Sequence, residues 1–242
     1  MQRDAIYALP QGQVVDFAFN EAVADVFPDM IRRSVPGYET IIGLLGIIAK
    51  RYAQPGTRIY DLGCSLGAAT LSMASQVREA GVSFVCVDNS AAMTSRCGQI
   101  LQRHLPAGQF QVICDDIQAV TLENASVVVL NFTLQFLNPA ERLAMLRNIY
   151  AGLRPGGVLV LSEKLQFADP AGQDLLTDLH LEFKRANGYS ELEISQKRSA
   201  LDNVLIPDTT AQHVERLQAA GFGQVLQWFQ GFNFASMLAV KS

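Results

Sequence analysis

The chain has 242 residues, 49% hydrophobic and 17% charged, with a formal net charge of −4. It is long enough to bury the core of one domain and lacks the basic excess of a nucleic-acid binder, which leaves small ligands or a protein as partners. The start, Met1-Gln2-Arg3-Asp4, leads into mixed sequence, the apolar run Thr40 to Ala49 is too short to span a bilayer, and the four cysteines show no CxxC pairing; a cytoplasmic protein with reduced, structural cysteines, no metal site and no membrane contact is expected.

Residues 1–56 read as a helical extension. Asn20 or Asp16 is placed to cap a short helix through Val26, and Pro28 and Pro36 then punctuate the chain. A second helix, carrying Ile41, Ile42, Leu44, Leu45, Ile47 and Ile48, is expected to stop near Pro55-Gly56. From Thr57 strands and helices alternate, which implies a parallel sheet covered on both faces.

The first strand, Arg58-Ile59-Tyr60, leads into Asp61-Leu62-Gly63-Cys64-Ser65-Leu66-Gly67 and a helix over 68–80. The glycines suit a sharp turn and close approach of backbone to a nucleoside. A dinucleotide fingerprint, G-x-G-x-x-G, is not matched: Ser65 stands at the middle glycine, and Asp61 puts negative charge where a pyrophosphate would lie. Both departures point to S-adenosylmethionine (SAM), whose amino acid end is cationic. The second strand, Ser83 to Val87, ends in Asp88, about 20 residues beyond the loop, where a carboxylate accepts from both ribose hydroxyls. The next helix is expected over 91–104. The third strand, Phe110 to Cys114, ends in Asp115-Asp116-Ile117: a carboxylate for the adenine amino group and an apolar cover for the ring. The fourth, Ala125 to Leu130, ends in Asn131-Phe132, under the sulfonium if the strand order is the usual one. Singly, each acid is as readily a turn former or helix cap; together they suit a ligand lying across the strand ends.

A helix over 139–152, the turn Leu153-Arg154-Pro155-Gly156-Gly157 and a fifth strand, Val158 to Ser162, follow. Residues 163–207 break the rhythm. They read as two or three helices, including 175–185 and 191–203, joined at Asn187-Gly188, and a connection this long is usually a lid. A helix over 209–220, closed by Gly221, and the strands 225–230 and 235–240 complete the chain as a hairpin.

This arrangement resembles the class I SAM-dependent methyltransferases. The resemblance implies an α/β fold in one SAM-binding domain over 1–242: a Rossmann-like seven-stranded sheet with a C-terminal antiparallel hairpin, an N-terminal helical extension and a helical insertion, 163–207, after the fifth strand. The usual marks of an acceptor site are missing. Asn131-Phe132-Thr133-Leu134 lacks the prolines of an amino-methylating turn, no cysteine follows Cys114, and His180 and His213 are not at strand ends.

More specific stretches are Val26-Phe27-Pro28-Asp29-Met30-Ile31, Arg33-Ser34-Val35-Pro36-Gly37-Tyr38, the Asp61 to Thr70 loop, Asn131 to Leu137, and Phe183-Lys184-Arg185-Ala186-Asn187-Gly188-Tyr189-Ser190-Glu191-Leu192-Glu193-Ile194-Ser195-Gln196-Lys197-Arg198. Together they resemble the carboxy-S-adenosylmethionine synthases end to end. The resemblance implies that SAM is a substrate, that prephenate supplies a carboxyl group and leaves as phenylpyruvate and water, and that the product, carboxy-S-adenosylmethionine, serves a tRNA carboxymethyltransferase modifying wobble uridine to its 5-oxyacetate. It implies a homodimer, no direct nucleic-acid contact and no metal. By position it implies SAM contacts at Tyr38, Gly63, Cys64, Ser65, Asp88, Asn89, Asp116, Ile117 and Asn131, with Arg198 gripping the new carboxylate as the catalytic residue. A guanidinium suits a carboxylate through two parallel bonds.

On residue type alone, Lys184, Arg185, Lys197 and Arg198 read equally as a solvated helix face, Tyr38 as core, and Glu163 as a capping or ion-pairing group rather than one that orients substrate. Two other functions fit the same residues: an ordinary SAM-dependent methyltransferase acting on a small molecule or RNA, and a non-catalytic SAM-binding module serving a partner enzyme.

Overall fold

The computed structural model describes residues 2–242. From Ile59 on, β1 (Arg58–Leu62) is buried on both faces, and its side chains alternate between them: Tyr60 and Leu62 enter one apolar cluster, Ile59 the other. With β2 (Ser83–Asp88), β3 (Phe110–Cys114), β4 (Ala125–Asn131), β5 (Leu153–Lys164), β6 (Gln224–Gly231) and β7 (Phe234–Val240), β1 forms a seven-stranded sheet in the order β3-β2-β1-β4-β5-β7-β6. The first five strands run parallel, and β7 is antiparallel to both β5 and β6. The chain order reverses between β1 and β4, the switch point at which ligands bind to open α/β sheets. The expected α/β methyltransferase architecture is the observed one.

Among the described residues eight α-helices accompany the sheet: α1 (Glu21–Ser34), α2 (Tyr38–Tyr52), α3 (Ala68–Gln76), α4 (Ala91–His104), α5 (Arg142–Gly152), α6 (Pro170–Ala186), α7 (Glu191–Leu201) and α8 (Thr210–Ala220). Ile41, Leu45 and Met73 of α2 and α3 pack on Ile59, Val127 and Val129. On the other face Met145, Leu146 and Ile149 of α5 and Leu217 of α8 pack on Val128, Leu130 and Leu159. Burying each such side chain is worth about 1.5–3 kcal/mol. Among the described residues no helix is long and apolar enough to cross a membrane.

Where elements differ from expectation, tertiary contacts and local side-chain bonds explain the difference. Asn20 caps α1 by accepting from the Val23 amide, but the helix passes Val26 and runs through Pro28 to Ser34. Pro28 forfeits a backbone donor in the helix interior. Continuing the helix buries Val26 and Met30 against Met93 and pairs Asp29 with Arg33 at 3.0 Å. Helix α3 ends at Gln76, not Ala80, because Arg78 folds back to donate to the carbonyls of Ser75 and Val77. Helix α5 starts at Arg142, after a 3-10 turn at Leu134–Phe136, and β5 already pairs at Leu153 with Ala125. Helix α6 starts at Pro170, capped by Asp169, earlier than the expected 175.

The insertion is fastened at its end and near its middle. Arg142, fully buried, donates to Asp208 Oδ2 at 2.5 Å and to the carbonyls of Gln135, Leu137 and Ile206. This pins the end of the insertion to the 3-10 turn. At the other side the N-terminal segment straps α7: Gln196 donates to the carbonyls of Tyr7 and Leu9, and Tyr189 donates to Asp4 Oδ2.

Candidate active site

The loop after β1 is shaped by its own polar groups. Asp61, 2% exposed, accepts from the Thr70 amide at 3.1 Å and the Thr70 hydroxyl at 2.7 Å, tying strand end to helix start. The amides of Gly63 and Cys64 donate to the Val87 carbonyl. Gly63 has φ +78°, and a Cβ there would lie 2.3 Å from Thr133 Oγ1, so only glycine fits. Ser65 holds a left-handed φ of 46° without that excuse. Its amide donates to Asp88 Oδ2 at 2.9 Å, which stabilises the turn, while Asp88 Oδ1 accepts from the Ser90 amide at 3.0 Å. Phe132, at the end of β4, is likewise left-handed at φ 62°. Strained backbone of this kind gathers at ligand sites.

Above the strand ends lies a cavity of about 500 Å³, in the range of small-molecule sites. Tyr38, Gly63, Cys64, Ser65, Asp88, Asn89, Asp116, Ile117 and Asn131 all line it. Nine residues spread over 94 positions of sequence thus converge on one space. Asn131 Oδ1 is buried there without a hydrogen-bond partner among the described residues, an acceptor suited to an ammonium. Asp116 accepts the Gln118 amide through Oδ1, which orients its other oxygen.

Arg198 is not brought in. It is exposed on α7 and does not line the cavity, whereas its neighbour Lys197 turns inward. Of the other insertion cations, Arg185 is spent on the surface with Glu182 and Glu191, and Lys184 lines the cavity. Lys164 and His180, which sequence reasoning did not single out for this space, also line it. The helical spacing of His180 and Lys184, four residues apart on α6, was the signal that places both on one face. Glu163 is 1% exposed, and its two oxygens accept the amides of Leu134 and Gln135 at 3.0 and 2.8 Å, so it caps the 3-10 turn.

Burial dominates the electrostatics. It pushes the Asp61 carboxyl up to about 7 and the Glu163 carboxyl up to about 8, and it raises Asp88. It pulls Lys184 down to about 7 and Lys197 down to about 8. His180 falls to about 3 through burial and then Lys184, so its imidazole is neutral at pH 7. Its Nε2 lies 2.8 Å from the Ser34 carbonyl, which can only accept; that nitrogen therefore carries the hydrogen. Its ring meets Phe234 edge-on at 4.9 Å. Burial and then the Asp61 charge raise the Tyr38 phenol above its ordinary value. His213 is buried away from the cavity. Cys64, Cys86 and Cys97 pack together as free buried thiols, and Cys114 is exposed. Among the described residues no group of three or more His, Cys, Asp or Glu is placed to hold a metal.

A family model for a methyltransferase domain matches residues 59–157. The chain is 59% identical over 239 residues to the carboxy-S-adenosyl-L-methionine synthase of Geobacter sp. (strain M21), covering 98% of each chain. It is 56% identical over 239 residues to the synthase of the same name from Vibrio cholerae, covering 99% of this chain and 97% of that one. A solved structure of a putative S-adenosyl-L-methionine-dependent methyltransferase from Methanococcus maripaludis superposes with a TM-score of 0.61 at 17% identity, over 97% of both chains. Human N-acetylserotonin methyltransferase, solved in complex with SAM, gives 0.59 at 18% identity, over 92% of this chain and 55% of that one. At these identities the structures speak for the fold alone.

Proposed function

This chain belongs to the carboxy-S-adenosyl-L-methionine synthase family, and on that premise we propose that it converts SAM and prephenate into carboxy-S-adenosyl-L-methionine, phenylpyruvate and water. The observation that carries the reading is the extent of the identity: 59% over 98% of the chain, with the insertion that covers the cavity included. That insertion is not part of the general methyltransferase domain, whose match ends at residue 157.

The residues suit SAM as substrate. Asp88 takes the ribose hydroxyls with the lone pairs left by Ser65 and Ser90. Asp116 and Ile117 take the adenine, and Asn131 Oδ1 takes the methionine ammonium. Gly63, Cys64, Ser65 and Asn89 form the floor around the nucleoside, and Tyr38 covers the sulfonium side beside Phe132, 6.4 Å between ring centroids.

The chemistry balances without a protein base. The ring–carboxylate bond of prephenate breaks and hydroxide leaves as the ring becomes aromatic, which drives the release of carbon dioxide. The sulfonium-activated methyl loses a proton, which joins hydroxide as water, and the methyl carbon bonds to the carbon dioxide. The neutral His180, its Nε2–H held by Ser34, accepts no proton at that nitrogen, in keeping with this route. The new carboxylate is held by Arg198, which in one protomer faces outward. We assign its reach to the site of a second subunit, so that the working unit is a homodimer. The product then serves a tRNA carboxymethyltransferase acting on wobble uridine.

Mass spectrometry of the purified protein incubated with SAM and prephenate tests this. A product one carbon dioxide heavier than SAM, formed in step with phenylpyruvate, is expected. SAM or S-adenosylhomocysteine alone would favour ordinary methyl transfer. Arg198→Ala is expected to abolish product while leaving most adenosine binding, and unchanged turnover would remove Arg198 from the site.

A further inference from the structure

The cavity is electrically two-ended. Under the loop and the ends of β2 and β3 it presents Asp61, Asp88 and Asp116. Toward the end of β5, α6 and α7 it presents Lys164, Lys184 and Lys197. Lys197 is partnered: its Nζ lies 3.0 Å from Ser34 Oγ and 3.5 Å from Asp4 Oδ2. Lys184 is not. It is 8% exposed, and the charges acting on it, from Lys197, Lys164 and Arg198, are all positive. Lys164 feels burial and Arg198 against it, with Asp202 as the opposing charge.

An ammonium buried among like charges is destabilising and is not kept by packing, since an apolar side chain of the same length would stabilise the site better. Its retention in a cavity wall points to an anion that enters with the ligand. SAM brings two cations, its sulfonium and ammonium, and one anion, its methionine carboxylate, so the SAM affinity of the lysine variants separates that occupant from an anionic second substrate.

We propose that Lys184 and Lys164 seat the 2-oxo-acid carboxylate of prephenate, an inference that rests on the reading above. Prephenate carries two carboxylates, and they make opposite demands. The ring carboxylate departs as neutral carbon dioxide, so a cation fixed on it would stabilise the ground state and raise the barrier. The 2-oxo-acid carboxylate keeps its charge from substrate to phenylpyruvate. Cations on that arm bind equally throughout and aim the ring carboxylate at the methyl. Lys197, already bonded to Ser34 and Asp4, fixes the position of α7 beside them. Neutral His180 and Phe234 supply an uncharged wall for the ring.

Steady-state kinetics and calorimetry on Lys184→Met, Lys164→Met and Lys184→Arg test the seat. Both methionine variants should raise KM for prephenate about ten- to a hundredfold, with a smaller change in kcat. Lys184→Arg should recover part of the loss. The dissociation constant for SAM should stay within about twofold of the parent, and Lys184→Met should melt no lower than the parent because it removes an unpaired buried charge. An unchanged KM for prephenate in a parent that does turn over would overturn the seat and leave the proposed function standing. A lower melting point with parallel loss of SAM affinity would also overturn it, by showing a structural role. If the parent forms no carboxylated product, the proposed function falls, and prephenate titrated into the SAM-loaded protein still decides the seat: binding weakened in Lys184→Met supports it, equal or absent binding refutes it.

Discussion

The Ser65 amide donates to Asp88 Oδ2 at 2.9 Å, so the carboxylate at the end of β2 holds the left-handed turn of the loop after β1 before any ligand arrives. One acid both builds the loop and lines the cavity in which SAM binding is proposed. Replacing it with amide therefore removes two functions together. Asp88→Asn is expected to weaken SAM binding by about ten- to a hundredfold, since it puts an N–H group against an amide donor or a ribose hydroxyl. Ser65→Gly, which relieves the left-handed φ, should bind SAM nearly as the parent does. Isothermal calorimetry on the two variants checks both, and a normal affinity in Asp88→Asn would disprove the assignment.

Gly63→Ala meets two obstacles. Its Cβ would lie 2.3 Å from Thr133 Oγ1, and its φ of +78° disfavours an L side chain by about 1–2 kcal/mol. SAM binding should be lost. Adding Thr133→Ala should restore part of it, because that change removes the clash but not the backbone strain. Full restoration in the double variant would mean that φ is unimportant here.

Asp208→Ala leaves Arg142 charged and fully buried, with its pairing carboxylate gone. Breaking a buried pair from one side costs about 3–5 kcal/mol. Arg216 also loses its 2.8 Å partner, adding a smaller surface contribution. Urea denaturation should show the loss as a lower midpoint, and limited proteolysis should cut first within residues 163–207, which this pair fastens.

Glu163 gives stability a pH dependence of known sign. Its folded-state carboxyl is pushed up to about 8 by burial, above the ordinary value of 4.5. The native state therefore binds a proton that the unfolded chain has released. Its contribution is complete below about pH 4.5 and is lost as pH rises to about 8. Asp61, pushed up to about 7, acts in the same direction. Lys184, pulled down to about 7, acts oppositely at higher pH, where the unfolded chain holds the extra proton up to 10.5. Glu163→Gln should flatten the fall in unfolding free energy between pH 4.5 and 8, measured by denaturant titration at several pH values. An unaltered slope would show that Glu163 stays ionised in the fold.

Much of this protein is written in local pattern. Alternating strands and helices, the Gly63 loop, and a polar residue at or next to the end of each of β1 to β4 are all readable from residue type and spacing. They place Asp88, Asp116 and Asn131 on one cavity because a parallel sheet aligns its strand ends whatever the side chains beyond them do. The helix through Pro28 was not readable, since it depends on Met93, distant in sequence, and the end of α3 at Gln76 turns on Arg78 folding back; the early start of α6 does have a local signal, Asp169 capping ahead of Pro170.

The insertion marks the division most clearly. Its sequence offers Lys184, Arg185, Lys197 and Arg198 with nothing local to rank them. Tertiary packing ranks them: Arg185 meets Glu182 and Glu191 at the surface, Arg198 points outward, and Lys184 and Lys197 are driven inside by the faces of α6 and α7 that meet the rest of the chain. Charge identity is a property of the sequence. Whether a charge is solvated, paired or held buried for a ligand is decided only when helix phase, the strap from Asp4 and the pin at Arg142 set which way each side chain faces.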